Sequence, residues 1–423
     1  MHLIEFGTIM NMVKGKKPAN QSQENQDGFL PYVDIKAFET QTVENYADGE
    51  KCLPCNEGDI LIVCDGSRSG LVGKAIAGYV GSTLAKITAE GMTQNYLFYF
   101  LQGKYALLNT KKKGTGTPHL NPDLLKKQKL CVPSIPEQQR IVTRIEELFS
   151  ELDKSVETLQ TIKQQLTVYR QAVLKEAFEG KLTSLWRKIH LGESPQTDFE
   201  SIKRSNEVFK DTSGDENEIH LELPPSWIKV RFGDVFEVQV GATPSRRIPE
   251  YWNGTINWVS SGEVHFNTIL RTDEQITADG LAHASTNVHP VGTVMLAMIG
   301  EGKTRGQAAI LNIEAAHNQN TAAILVSKTA CSSKYIYYFL QMNYDNTRRV
   351  GSGNNQKALN KERVRALRFP FTSFAEQKMI VEEIESRLSV CDSIEQTVDT
   401  ALVQAEAMRQ SILKQAFEGG LPE

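Results

Sequence analysis

The chain has 423 residues and a formal charge of −4, from 47 basic against 51 acidic side chains. At ~100–200 residues per domain it holds two or three domains, and its mild acidity excludes a uniformly basic nucleic-acid binder while leaving room for local basic surfaces. No apolar run approaches the ~18–20 residues of a membrane span, Met1-His2-Leu3-Ile4-Glu5 does not read as a signal peptide, and six cysteines are too sparse for a disulfide scaffold, so a reducing cytoplasm is expected.

In chain order the first feature is Cys52-Leu53-Pro54-Cys55. A redox pair sits on a helix N-terminus after a strand, whereas this one precedes Gly58-Asp59-Ile60-Leu61-Ile62-Val63, a short apolar run that reads as a strand opened by a turn glycine. Zinc needs four ligands, and no second C-x-x-C or paired-histidine motif exists, so these cysteines are expected to be ordinary loop residues. Residues 101–131 then hold Lys104, Lys111, Lys112, Lys113, Lys126, Lys127 and Lys129 against Asp123 alone, about +6, around the Gly114-Thr115-Gly116-Thr117-Pro118-His119 stretch.

Ser134-Ile135-Pro136-Glu137 has the S-x-x-E spacing of a capping box and predicts a helix start. Behind it Ile141, Ile145, Leu148, Leu152, Leu159, Ile162, Leu166, Tyr169 and Val173 form one apolar seam at spacings of three, four and seven. Gly180 stands where the pattern stops, as a left-handed C-cap does. Residues 193–222 carry about nine acids against three bases and read as an exposed linker. Beyond it Ile256-Asn257-Trp258-Val259, Gly292-Thr293-Val294-Met295-Leu296-Ala297 and Ala322-Ala323-Ile324-Leu325-Val326 predict strands of an α+β domain with long loops.

Ala297-Met298-Ile299-Gly300-Glu301-Gly302-Lys303-Thr304 fits a relaxed phosphate-loop pattern, in which backbone N–H groups curl around phosphates and a helix starts at the threonine. Here Thr304-Arg305-Gly306-Gln307-Ala308-Ala309-Ile310 reads as a turn into another strand, so a Gly-rich hairpin loop is expected. A second basic stretch, residues 343–368, carries Arg348, Arg349, Lys357, Lys361, Arg363, Arg365 and Arg368 against Asp345 and Glu362, about +5, around Gly351-Ser352-Gly353-Asn354-Asn355-Gln356-Lys357. Lysine and arginine attract phosphates, while Asn, Gln and Arg match the donors and acceptors of base edges. A second S-x-x-E, Ser373-Phe374-Ala375-Glu376, opens a last helix with Ile380, Ile384, Ile394, Val398, Ala401, Ala405, Met408 and Ile412 on its seam and Gly419 at its end.

These features are one unit written twice. At a constant shift of ~239 residues roughly twenty of about forty-six positions of the two helices are identical, Tyr96-Leu97-Phe98-Tyr99-Phe100-Leu101-Gln102 matches Tyr335-Ile336-Tyr337-Tyr338-Phe339-Leu340-Gln341, and Leu120-Asn121 matches Leu359-Asn360. Nearer the start a shift of ~226 pairs Gly7 with Gly233, Gly15 with Gly241 and Pro18 with Pro244. The basic stretches recur at the same place with different residues, as expected if both copies bind one kind of polymer and read different sequences. Pairing the two helices as an antiparallel coiled coil buries both seams at once.

At these residues the chain resembles the specificity subunit of type I restriction-modification systems. The resemblance rests on Leu223-Pro224-Pro225-Ser226-Trp227 ahead of the second copy, Gly233-Asp234-Val235, Gly241-Ala242-Thr243-Pro244-Ser245, the two Glu-Gln helices ending Ala-Phe-Glu-Gly, and Lys181-Leu182-Thr183-Ser184-Leu185-Trp186-Arg187. It implies two target-recognition domains (residues 1–133 and 223–372) with a central helix (134–182), an acidic linker (183–222) and a C-terminal helix (373–423), related by approximate twofold symmetry. Each domain would read one half of a split, asymmetric site on double-stranded DNA. The subunit implied is non-catalytic, holds no cofactor and works in a prokaryotic cytoplasm. It carries two modification subunits that methylate adenine with S-adenosylmethionine, and restriction subunits that translocate and cut DNA with ATP and Mg. On charge and loop position, the expected DNA contacts are Lys14, Lys16, Lys17, Arg68, Lys74, Lys111, Lys112, Lys113, Thr115 and His119 in the first domain. In the second they are Arg246, Arg247, Lys303, Arg305, Arg348, Arg349, Asn355, Gln356 and Lys357. The first copy departs from the pattern: it lacks the Leu-Pro-x-x-Trp segment, and Gly15-Lys16-Lys17-Pro18 replaces Gly241-Ala242-Thr243-Pro244. An ATP-binding enzyme built on Gly302-Lys303-Thr304, and a coiled-coil adaptor for proteins, are the alternatives.

Overall fold

The structure, a computed structural model, describes residues 3–110, 118–202, 221–300, 302–349 and 359–420. The chain folds as two units, residues 1–162 with 397–423 and residues 163–396. No helix among the described residues is long and apolar enough to cross a membrane.

In the first unit β1 (Ile4–Glu5), β2 (Met10–Lys14), β3 (Leu30–Val33), β4 (Ile60–Val63), β5 (Val72–Lys74), β6 (Gly78–Val80) and β7 (Leu84–Ala89) precede two helices, α1 (Gln94–Gln102) and α2 (Tyr105–Thr110), and a last short strand β8 (Lys129–Leu130). The Gly58 run becomes β4, buried at every residue because it is an inner strand of the antiparallel order β2-β7-β4-β5. One face of that sheet packs Ile60, Ile62, Ala85 and Ile87 against Leu97, Phe100 and Leu101 of α1, and the other packs Leu61, Val63 and Leu84 against Val33, Phe38 and Val80. The alternation follows from the two-residue period of a strand.

The second unit repeats this plan with additions. After α3 (Ser184–Ile189) and α4 (Pro195–Ile202) come β9 (Ile228–Arg231), β10 (Val238–Val240), β11 (Trp252–Val259), β12 (Asn267–Ile269), β13 (Glu274–Ile276), β14 (Val294–Ala297), β15 (Ala308–Leu311), β16 (Ala316–His317) and β17 (Thr321–Ile324). The helices α5 (Ser333–Met342) and α6 (Tyr344–Arg349) and the strand β18 (Arg368–Phe371) follow. The larger sheet has the order β10-β17-β14-β15-β12, with β14 fully buried at its centre, and a smaller one the order β13-β11-β16. The stretch expected to be an exposed linker is partly built into this unit. Phe199 of α4 is buried against Phe371, and Asp198 accepts a hydrogen bond from the Phe374 N–H at 2.8 Å.

The central helix, Ile135–Phe178, and the C-terminal helix, Phe374–Glu418, have 44 and 45 residues, ~66 Å each at ~1.5 Å per residue. Their pairing is antiparallel within each unit. In the first, Ile145 and Phe149 pack with Leu413 and Ala416, and Arg409 stacks 4.7 Å over Phe149 and pairs with Asp153. In the second, Arg170 pairs with Asp392 at 2.7 Å and Glu395 at 2.9 Å. Gly180 (φ 69°) and Gly419 (φ 83°) take the left-handed conformation expected of C-caps. The seam is corrected in detail: Tyr169, Ile394 and Met408 are exposed, while Phe149 and Cys391 are buried in their stead.

The Glu-Gln motif explains how each helix starts. Gln138 and Gln377 are both fully buried and bond the backbone of the turn that leads into α1 and α5, respectively. Gln138 Oε1 accepts from the Thr93 N–H at 2.8 Å and Nε2 donates to Gly91 O and Pro133 O; Gln377 Oε1 accepts from the Ser332 N–H at 3.1 Å and Nε2 donates to Thr372 O. The glutamates diverge. Glu137 lies at the surface beside Arg140, whereas buried Glu376 accepts from Trp227 Nε1 (2.9 Å) and Thr183 Oγ (2.7 Å) and pairs with Arg187. Its carboxylate therefore ties three segments together, a different task from the backbone cap expected of it. The Ala-Phe-Glu-Gly ends are docks as well. Phe178 sits on Tyr335 and Phe339 in the second unit, and Phe417 sits on Tyr96 and Phe100 in the first.

Candidate nucleic-acid interface

Strand register gathers the loops of each unit. Lys14 pairs with Ala85, Val63 with Leu84 and Val72 with Ile62, so the residues after β2, the β4–β5 loop and the turn before β7 share one end of the sheet. In the second unit Val240 pairs with Ala322, Ala297 with Thr321 and Leu296 with Ala308, which places the residues after β10, the β14–β15 loop and the turn before β17 at the corresponding end.

The frame at these ends is the same in both units. The Gly70 N–H donates to Val63 O and the Gly306 N–H to Ala297 O, both at 2.8 Å, closing a hairpin loop on the central strand. Cys64 and Met298, the first residues of those loops, donate to Thr83 O (2.8 Å) and Asn320 O (2.9 Å) and accept from the Leu120 (2.7 Å) and Leu359 (3.0 Å) N–H groups. Gly15 and Gly241 cross under the neighbouring turn so closely that a Cβ would stand 2.3 Å from Val80 O and 1.9 Å from His317 O, which requires glycine at both. The short helices α2 and α6 are tied to the hairpin loops: Asn109 Nδ2 donates to Ser67 O and Ser69 O, while Tyr344 Oη donates to Lys303 O and Arg348 donates to Tyr344 Oη and Gly302 O. The described residues that flank each basic stretch thus lie beside its hairpin loop, α2 or α6 before it and Leu120 or Leu359 after it.

The expected contact residues divide on this frame. Lys14, Lys16, Lys17, Arg68 and His119 lie at the loop end of the first unit, exposed. Lys14 and His119 both bind Asp65 at 2.8 Å; burial raises the Asp65 pKa, but these two hydrogen bonds outweigh it and hold the carboxyl below its usual range. Arg68 pairs with Glu39, and Lys16 and Lys17 have no side-chain partner among the described residues. Lys74 does not join them. It pairs with Ile60 at the opposite end of the sheet, with its ammonium 5.4 Å from the Phe98 ring.

At the second loop end Arg246 is spoken for: it holds Glu274 through Nη1 and Nη2 and stacks 3.7 Å over Trp252. The hydrogen bond from Arg246 is the largest influence on Glu274 and, with the guanidinium charge, keeps it below the usual carboxylate range although burial, the second-largest influence, raises it. Arg348 braces the hairpin loop as described, and Arg349 ends the same helix. Arg305 buries its Nε without a hydrogen-bond partner among the described residues, and exposed Arg247 and Lys303 have no ion pair among the described residues. Lys111, Lys112, Lys113, Thr115, Asn355, Gln356 and Lys357 lie outside the described residues. The Gly302-Lys303-Thr304 sequence lies in the hairpin loop between antiparallel β14 and β15, and no helix begins at Thr304, so the described residues do not assemble the strand-loop-helix of a phosphate loop. Cys55 is buried in a strand, and its thiol is pushed up to about 11 by burial, with the nearby Asp59 charge adding to it.

Sequence reasoning missed the anchors Gln138 and Gln377, although the repeated Glu-Gln pair signalled them. It also missed a polar network under the second loop end. There His317, fully buried, meets Thr321 Oγ through Nδ1 (2.7 Å) and His289 Nε2 through Nε2 (3.0 Å), and Thr243 Oγ donates to Gln319 Oε1 at 2.6 Å.

The family model for the type I restriction modification DNA specificity domain matches residues 2–167 and 224–403, the two copies in turn. The chain is 28% identical over 263 residues to the type I restriction enzyme MjaVIII specificity subunit of Methanocaldococcus jannaschii, covering 59% of this chain and 60% of that protein. It is 23% identical to the EcoBI specificity subunit of Escherichia coli over 99% of this chain and 85% of that one. Among solved structures, one from a study of assembly and conformational transition of the type I R-M system superposes with a TM-score of 0.71 at 15% identity, covering 99% of this chain and 98% of that one. The HsdS subunit from Thermoanaerobacter tengcongensis follows at 0.56 and 16%, over 99% and 97%. With both copies matched across most of the sequence, the chain belongs to the type I restriction-modification DNA specificity family.

Proposed function

We propose that this chain is the non-catalytic DNA reader of a type I restriction-modification complex in a prokaryotic cytoplasm. Each loop end takes one half of a bipartite, asymmetric site on double-stranded DNA. The paired helices set the spacing of the halves and dock two modification subunits. S-adenosylmethionine and adenine methylation belong to those subunits, and ATP-driven translocation and cleavage to restriction subunits recruited by the assembly. The observation that carries the reading is one hydrogen-bonded frame built twice, with different side chains mounted on it. Free lysines at the first loop end supply phosphate attraction, and the neighbouring loops supply reach into a groove.

The test uses the chain assembled with an adenine modification subunit and a DNA library randomised at both half-sites. Replacing Lys111, Lys112 and Lys113 with alanine should weaken binding and flatten its salt dependence, by about one unit of slope for each phosphate that is no longer neutralised. The motif of the second half-site should stay as it was. Equal relaxation of both halves would contradict separate reading by the two domains.

A further inference from the structure

Inside the duplicated frame one pair of positions is kept in place and changed in chemistry. Lys16 and Ala242 each offer a carbonyl oxygen to an aromatic donor from the adjacent parallel strand, Tyr32 Oη at 3.4 Å and Trp258 Nε1 at 3.2 Å. The next residues are Lys17 and Thr243. On the turn that faces them, Thr83 and Asn320 are matched by their bonds to Cys64 and Met298, which makes Ser82 and Gln319 the corresponding positions.

In the second unit this pair is assembled. Thr243 Oγ donates to Gln319 Oε1 at 2.6 Å, and Gln319 is exposed. The turn beneath it is locked. Asn318, 6% exposed, accepts the Asn320 N–H at 3.0 Å; Thr286 Oγ donates to His317 O at 3.1 Å; and the His317 ring is held between Thr321 and His289. The locked turn fixes the backbone under Gln319 and the Thr243 bond restrains its side chain, so less rotamer freedom is lost on binding than from an untethered glutamine.

We propose that Gln319 reads a base of the half-site taken by the second domain, donating its amide N–H groups to the acceptor edge of a guanine in the major groove, with Thr243 as the residue that orients it. The hydroxyl of Thr243 takes one of the two lone pairs of the amide oxygen and engages neither N–H donor. Guanine presents two acceptors, N7 and O6, whereas reading adenine requires the amide oxygen to accept from N6. Lys17 and Ser82 stand at the same place in the first domain, so the two ends carry different readers on one frame, as an asymmetric site demands. The inference rests on the DNA-reading function proposed above.

Methylation sequencing of the randomised library tests it with the wild-type complex and the Gln319→Ala, Gln319→Glu and Thr243→Val variants. Because Gln319 is exposed, its variants should unfold at the wild-type urea midpoint. Gln319→Ala should lose about ten- to a hundredfold discrimination at one guanine of the second half-site and leave the first half-site untouched. Gln319→Glu, which can only accept, should move the preference there to cytosine, whose N4 amino group donates. Thr243→Val, which frees the amide oxygen, should admit adenine at that base. A wild-type bipartite motif reproduced at full stringency by Gln319→Ala and Gln319→Glu overturns the assignment of Gln319 alone. A wild-type complex that methylates without any bipartite motif overturns the DNA-reading function beneath it.

Discussion

Truncating Phe178 should uncouple the end of the central helix from the second unit's core by a predictable amount. Its ring is fully buried, 5.0 Å from Tyr335 and 5.5 Å from Phe339, in a cluster with Leu174 and Ala177. Phe→Ala at such a site costs about 3–5 kcal/mol, from the transfer free energy of the missing ring and the cavity left behind. For a unit of this size a urea slope of about 2 kcal/mol per molar converts that into a midpoint lowered by roughly 1.5–2.5 M. The assay is selective, because Trp186, Trp227, Trp252 and Trp258 all lie within residues 163–396. Tryptophan emission therefore follows the second unit, while circular dichroism follows both. Phe417→Ala makes the matching change in the first unit, where the half-buried ring sits on Tyr96 and Phe100. It should shift part of the dichroism transition and leave the tryptophan midpoint in place. A Phe178→Ala protein with the wild-type tryptophan midpoint would refute the docking argument.

The buried histidines predict acid sensitivity of the second unit. Burial, then the charge of Lys328, lowers the His289 pKa from 6.5 to about 4; burial, then the charge of His289, lowers His317 to about 3. Below 6.5 the unfolded chain takes up protons that the folded one refuses, so stability falls with pH across that window, by at most roughly 1.4 kcal/mol per pH unit for each histidine. His289→Gln should make the fall of the tryptophan-detected midpoint shallower, and an unchanged slope would contradict the neutral pair. Lys303→Ala should leave isothermal titration with ATP as flat as in the wild type, since Lys303 lies in a hairpin loop. Saturable ATP binding that disappears in the variant would favour the enzyme alternative.

The fold was legible in the sequence because a repeat needs no knowledge of partners. Matching Tyr96 to Tyr335 and Gln138 to Gln377 already identifies equivalent places, and both pairs do the same work in the structure. Periodicity was less informative along the helices, where Tyr169, Ile394 and Met408 fit the spacing but face solvent. The seam is set by what covers each turn, and that cover comes from residues distant in sequence. The same limit applies to the contact residues. Charge marked Arg246, but Glu274 and Trp252 claim it; charge marked Lys74, but strand register carries it to the far end of the sheet. Gln319 has no charge and stood out only once Thr243 and the locked turn were seen beside it.

Matched insertions test most directly the proposal that the paired helices set the spacing of the two half-sites. Four residues placed after Lys163, with four more among residues 397–403, lie between the ion pairs Asp153–Arg409 and Arg170–Asp392 that fix the antiparallel pairing. Each helix grows by ~6 Å and its seam advances by ~40°. That corresponds to at most about two base pairs at ~3.4 Å each. Methylation sequencing of the assembled complex should return both half-sites unchanged with a longer spacer between them. Altered half-sites at the original spacing would contradict the account.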